Sequence, residues 1–327
     1  MIGNYTIQLS TKRVSFKLDV KRKYTIIRGD SATGKSTIAE YVWRHNIQGT
    51  DSGVYLKCDI PVKRFMDIES LASWDTCIVV IDESDLILKH QDVAGILKRS
   101  VCYFIIITRQ KLGYLPYSMY EIYELENKTI KTSYTETYLR NRYSSIPRQI
   151  TPELIITEDK NTGFDFFNRT LPVKCDNAKG KDKIKDKLEE YVDKYKSIFV
   201  ICDGAANGAT IYDLKKYIEL VSSQCDVYIY TPESFEWLLL RSLYYVGNTK
   251  QYLDYTYNYC DTRYYDSWEQ YYTFFLTELG AKYHRHYSKK IMDEYYYKKA
   301  EDVMKLIPEL YIEAKQTNSL ETDLFDD

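Results

Sequence analysis

Residues 5–20 alternate apolar and polar positions in two short runs, Tyr5-Thr-Ile-Gln-Leu and Val14-Ser-Phe-Lys-Leu. A period of two puts every second side chain on one face, so the spacing predicts two strands with one solvated face each. Tyr24-Thr-Ile-Ile predicts a third, more buried strand that ends at Gly29. A helix is expected from Lys35 to about Asn46. Further strands are expected at 54–57, 77–81 and 103–107, a helix at 92–98, and a last strand or hairpin within 119–138. Strands alternating with helices predict a parallel sheet with helices on both faces.

The stretch from Asn141 to Pro152 is polar and carries Pro147 and Pro152, which marks a domain boundary. Beyond it the alternation restarts. Strands are expected at 153–157, 171–175, 197–202 and 226–230, with helices at 164–168, 181–196 and 211–221. Ile184, Leu188, Tyr191, Val192 and Tyr195 would share one face of the 181–196 helix. Thr231-Pro232-Glu233 has a capping hydroxyl, a first-turn proline and a nearby acid, and predicts another helix start. From about 250 onward the chain is Tyr-rich and helical in pattern, without strand signals.

Composition narrows the class. The 327 residues are 44% hydrophobic and 28% charged, enough for two cores and too apolar for disorder. The net charge of -2 excludes a polycation that coats nucleic acid, so any such contact must come from a local patch. The apolar runs fall well short of the roughly 18 residues of a membrane helix, and the N-terminus lacks an apolar signal core. The seven cysteines are scattered singly, which predicts reduced, buried thiols. These features together predict a cytoplasmic protein without a membrane segment. The 34 tyrosines accompany frequent Lys and Ile and read first as compositional bias.

Two motifs carry chemistry. Gly29-Asp30-Ser31-Ala32-Thr33-Gly34-Lys35-Ser36 fits G-x-x-x-x-G-K-[ST] between a predicted strand and a predicted helix. Its glycines allow the backbone to curl so that successive N–H groups meet phosphate oxygens, and the helix start adds partial positive charge. Lys35 is expected to reach the β- and γ-phosphates, Ser36 to ligate Mg²⁺, and Thr37 to touch the α-phosphate. The second motif is Cys77-Ile-Val-Val-Ile-Asp82-Glu83, an apolar strand delivering acids at its end. Asp82 is expected to hold Mg²⁺ through water, and Glu83 to orient and deprotonate the attacking water.

The 47 residues from Lys35 to Asp82 leave no room for the helical subdomain of ABC-type ATPases, and their Ser-Gly-Gly-Gln signature is missing. Asn127-Lys128-Thr129 is followed by Ile130, where a guanine-reading motif needs Asp. Residues 20–125 resemble the additional-strand, catalytic-Glu P-loop NTPases, and within them the AAA-like and zonula-occludens-toxin-like ATPases. The resemblance implies that the strand ending in Thr108-Arg109-Gln110 lies between the two motif strands. It also implies that Thr108 senses the γ-phosphate as part of the catalytic set with Lys35 and Glu83. Arg109 reads either as a finger on a neighbouring subunit's nucleotide in a homo-oligomer or as a solvated arginine. The cofactors implied are ATP and Mg²⁺.

The second region is similar to the Toprim fold of topoisomerases, primases and OLD-type nucleases, where a Glu and an Asp-x-Asp at strand ends hold Mg²⁺. Glu158 matches the Glu and Asp203 the first Asp, which makes them a candidate second metal site; Ala205 stands where the second Asp belongs. The expected fold class is therefore α/β: a P-loop NTPase domain over 1–145, a Rossmann-like (Toprim-like) α/β domain over 150–248, and a helical C-terminal region over 249–327. The lysines at 179, 181, 183, 185 and 187 read as a solvated helix face interleaved with acids. Lys282, His284, Arg285, His286, Lys289 and Lys290 lie among tyrosines able to stack on bases. The leading expectation is an ATPase whose cycle controls a module acting on or sensing DNA or RNA, a pairing found in mobile elements and anti-phage defence. The competing expectation is an ATP-driven assembly or transport factor whose second domain binds a protein.

Overall fold

A computed structural model describes residues 1–29, 34–131, 134–143 and 147–312. Among these, nine strands form one sheet: β1 (Tyr5–Ser10), β2 (Val14–Val20), β3 (Tyr24–Ile27), β4 (Tyr55–Lys57), β5 (Val62–Arg64), β6 (Ile78–Ile81), β7 (Tyr103–Ile107), β8 (Ile122–Lys131) and β9 (Tyr134–Asn141). Their order is β4-β1-β2-β9-β8-β3-β7-β6-β5. The half from β8 to β5 is parallel throughout. The other half is mixed, because β1 runs antiparallel to β2 and β4, and β8 antiparallel to β9. The wholly parallel sheet expected from the alternation is thus corrected to a mixed one. The reason is local: short connections such as Thr11–Arg13 join neighbouring strands as hairpins, which are antiparallel by construction.

The parallel half holds the deepest strands. β3, β6 and β7 are buried at every position, which is why their sequences are apolar runs and not alternations. Each fully buried Ile or Val there contributes about 1.5–3 kcal/mol relative to exposure. Three helices accompany this sheet: α1 (Lys35–Gln48), α2 (Ile68–Ser73) and α3 (Val93–Arg99). Ile38, Ala39 and Val42 of α1 join Ile27, Val80 and Ile105 in one apolar cluster, so the helix after β3 lies against the sheet.

A second sheet is parallel throughout, in the order β11-β10-β12-β13, from β10 (Leu154–Thr157), β11 (Lys174–Asn177), β12 (Ser197–Ile201) and β13 (Asp226–Tyr230). With it go α4 (Thr162–Thr170), α5 (Ile184–Glu189), α6 (Ile211–Val221) and α7 (Phe235–Leu243). Three boundaries differ from expectation. The strand expected at 171–175 lies at Lys174–Asn177. The helix expected over 181–196 is α-helical only from Ile184 to Glu189, although Val192 beyond it remains buried. The helix expected to start at Thr231 starts at Phe235, because Ser234 caps it by accepting from the Trp237 N–H at 3.1 Å. The remaining helices are α8 (Gly247–Asp254), α9 (Trp268–Lys282), α10 (Glu294–Lys298) and α11 (Ala300–Met304). No helix among the described residues is long and apolar enough to cross a membrane.

The chain forms two compact units that are discontinuous in sequence. The first is Met1–Ile146 with Asp203–Tyr212 and Val246–Tyr272; the second is Pro147–Cys202, Asp213–Tyr245 and Thr273–Asp327. In the first unit, the buried Lys23 ammonium donates to Lys98 O at 2.7 Å and Thr262 O at 3.2 Å, and pairs with Asp266 at 3.4 Å. Beside it the Arg22 guanidinium lies 3.5 Å over the Trp268 ring and pairs with the buried Glu121. These polar ties hold residues 246–272 to the first sheet.

Candidate functional site

Parallel strands bring their carboxyl ends to one edge, and that edge of the first unit gathers the motif residues. β7 lies between β3 and β6. Gly29 and Gly34 both take positive φ, 132° and 87°, conformations that a side chain would strain. Asp30, Ser31, Ala32 and Thr33 lie outside the described residues. Gly34 is the cap residue of α1; among the described residues no side chain caps this helix and no acid occupies its first turn. The amide groups and positive dipole end of this 14-residue helix therefore meet no acid of its own first turn.

Lys35 is 8% exposed, and its ammonium donates to Gly29 O at 2.8 Å, which ties the first residue of α1 to the chain after β3. Ser36 is exposed on the first turn, with Thr37 next to it half-buried. The Ser36 hydroxyl donates to Asp82 Oδ1 at 3.5 Å, a contact across 46 residues of sequence. Asp82 follows β6 directly, and its Oδ2 accepts from the Ser84 hydroxyl at 3.2 Å. Ser36 and Asp82 thus bring two oxygen atoms together, the ligand type that a hard cation favours. Among the described residues no three His, Cys, Asp or Glu side chains converge into a ready-made cage. A cation at Ser36 and Asp82 would be completed by phosphate oxygens and water, as suits Mg²⁺.

Glu83 and Thr108 face the same edge with different exposure. Glu83 keeps 35% of its side chain exposed and accepts from the Arg109 N–H at 3.2 Å. The Arg109 guanidinium stands 3.7 Å from the other carboxylate oxygen. Thr108 ends β7 with 1% exposure, and its hydroxyl oxygen accepts from the Gln110 N–H at 3.0 Å. Its backbone N–H donates to Ile27 O at 3.1 Å, tying the end of β7 to the end of β3.

One pair escaped sequence reasoning. Asp85 accepts the Asp82 N–H at 2.7 Å, and the Asp85 N–H returns a bond to Asp82 O at 2.9 Å. Arg64, at the end of β5, grips Asp85 with both terminal nitrogens and donates to Val80 O at 3.2 Å. This bidentate pair fixes the turn that presents Asp82 and Glu83. The signal available was the third acid in Asp82-Glu83-Ser84-Asp85; its partner, 21 residues upstream, had none.

The other predicted metal residues come after neighbouring parallel strands, β10 and β12, whose last residues Thr157 and Ile201 are paired in register. Glu158 follows β10 in the second unit, where its N–H donates to Ile201 O at 2.9 Å. Asp203 belongs to the first unit, and Ala205 beside it is 1% exposed. In the first unit the Asp203–Tyr212 segment is held by the Ser118 hydroxyl and the Met119 N–H, which both donate to Gly204 O at 3.0 Å. Compared with known families and curated proteins, the sequence matches no family model and no curated relative.

Proposed function

We propose that the first unit binds ATP with Mg²⁺ and hydrolyses its terminal phosphoanhydride bond. The observation that carries this reading is the meeting of Ser36 and Asp82 at 3.5 Å, with the Thr108 strand between the strands that lead to them. Phosphoryl transfer asks a protein for position and charge more than for covalent chemistry. The segment between Gly29 and Gly34 and the start of α1 would offer amides to the phosphates, and Lys35 would exchange its Gly29 carbonyl for phosphate oxygen. Bound Mg²⁺, held by Ser36 and Asp82, would offset the phosphate charge. In this reading Glu83 would take a proton from the attacking water, and Thr108 would sense the terminal phosphate.

We further propose that this cycle controls the second unit as a Toprim-like module that acts on or senses DNA or RNA. The buried Ala205 in place of a carboxylate favours a sensing module over a cleaving one, since a two-metal site needs that acid. The same observation favours the second reading, an ATP-driven assembly or transport factor whose second unit binds a protein.

The test is phosphate release from Mg-ATP by the full chain, with and without DNA or RNA. Lys35→Ala is expected to abolish nucleotide binding, and Glu83→Gln to retain ATP while stopping turnover. Wild-type protein with no affinity for Mg-nucleotides would sink the ATPase reading. Turnover indifferent to both nucleic acids would leave the assembly-factor reading.

A further inference from the structure

Cys77 and Cys102 sit directly before β6 and β7, at the ends of these strands remote from Asp82 and Thr108. The Tyr103 N–H donates to Cys77 O at 3.0 Å, which places the two cysteines side by side across the parallel ladder. Their sulfurs are 3.3 Å apart, and neither residue is more than 1% exposed. Adjacent strands lie about 4.8 Å apart, inside the roughly 4.4–6.8 Å Cα separation that a disulfide spans. The sulfurs need to approach by only a little over about 1 Å to reach bonding distance near 2.05 Å.

The surroundings make the pair unequal. The hydrogen bond shared by the two sulfurs raises the Cys77 thiol, and burial raises it further. The same bond lowers the Cys102 thiol against the effect of burial, helped by Ser100 and by the Lys63 ammonium. These directions favour Cys102 as the attacking sulfur. A groove of about 530 Å³ opens along Trp74, Asp75, Ser100 and Val101, the segments that lead into both cysteines. The groove ends at the residues flanking the pair, Asp75 and Val101, and the cysteines themselves do not line it.

We propose that Cys77 and Cys102 form a reversible disulfide, with hydrogen peroxide as the oxidant. The Cys102 thiolate attacks one peroxide oxygen, the O–O bond breaks, and the departing hydroxide takes a proton to leave as water. Cys102 is then a sulfenic acid. Cys77 loses its proton and attacks that sulfur, the S–O bond breaks, and a second water leaves. Two thiols are oxidised by two electrons in total, and one peroxide is reduced to two waters. A sulfur already in contact with Cys102 intercepts the sulfenic acid before a second peroxide can.

The experiment treats the full chain with hydrogen peroxide, then denatures, alkylates and maps it by mass spectrometry. The expected product is one peptide pair joined through Cys77 and Cys102, lighter by two hydrogens and separated again by dithiothreitol. Recovery of both residues alkylated, linkage of either to another cysteine, or conversion of Cys102 to sulfinic acid would each overturn the proposal. In Cys77→Ser the Cys102 sulfenic acid is expected to persist and react with dimedone; no dimedone adduct at Cys102 in the folded variant would overturn its assignment as the attacking sulfur. If that variant fails to fold, the mapping of the wild-type chain decides alone.

Discussion

Arg109 holds Glu83 from two directions, with its backbone N–H 3.2 Å from one carboxylate oxygen and its guanidinium 3.7 Å from the other. The side chains are 58% and 35% exposed, so the ion pair itself contributes at most about 1 kcal/mol. A carboxylate occupied in this way is less available to water. Arg109→Ala is therefore expected to raise ATP turnover, by up to roughly fivefold if about 1 kcal/mol of competition is removed. Steady-state phosphate release measures this, with KM for ATP unchanged. A tenfold loss of turnover would instead place the guanidinium on a nucleotide phosphate, the finger role.

Ser36 and Asp82 lead to a prediction about the metal. Asp82→Asn keeps the shape and the contact with Ser36 while removing the negative charge. The Mg²⁺ concentration giving half-maximal turnover is expected to rise tenfold or more, the equivalent of about 1.4 kcal/mol. Thermal stability should hold, because Asp82 is only half-buried and the Arg64–Asp85 pair still fixes the turn. A magnesium titration superimposable on that of the wild type would remove Asp82 from the metal.

How far the sequence discloses this site depends on how local its determinants are. Ile78–Ile81 and Tyr103–Ile107 are legible because strands buried on both faces must be apolar throughout, and the polar residue ending each run then stands out. Val62–Arg64 is not legible, since three residues are too few to show a period. The pattern at 181–196 overshoots the regular helix because the inward packing continues past Glu189 through separate helical turns, with the Val192 N–H donating to Leu188 O at 2.9 Å and the Tyr195 N–H to Tyr191 O at 3.1 Å. The return of residues 203–212 and 246–272 to the first unit rests on contacts such as Lys23 with Thr262, 239 residues apart. No local periodicity encodes a contact of that separation.

Arg64 and Asp85 test whether the turn after β6 must be rigid. The pair is mostly shielded, with 14% and 16% of the side chains exposed, and each partner also bonds backbone. Removing one partner strands the other, which costs about 3–5 kcal/mol for fully buried pairs and less here. Arg64→Met is expected to cut turnover at least tenfold while leaving nucleotide binding to the Gly29–Ser36 loop within about threefold, since each 1.4 kcal/mol is a factor of ten. Equilibrium binding measured beside turnover separates the two effects. Loss of binding equal to the loss of turnover would show the substitution to act on the whole unit.

In the second unit, Asp176 receives the Lys187 ammonium at 2.9 Å and the Tyr191 hydroxyl at 2.6 Å. Burial alone would raise its carboxyl, but these hydrogen bonds overcome that and hold it below the usual carboxylate value. A carboxyl with a lower value in the folded than in the unfolded chain binds protons less readily when folded. Its contribution to stability is complete above the unfolded value near about 3.9 and fades as the pH falls through the folded value. The wild type is therefore expected to be more stable than Asp176→Asn at neutral pH, with the gap closing between roughly pH 5 and pH 2. Solvent reaches the pair, so the neutral gap should stay within about 1 kcal/mol. Urea midpoints for both proteins across that range supply the measurement, and a gap that stays constant with pH would show that the Asp176 charge contributes nothing.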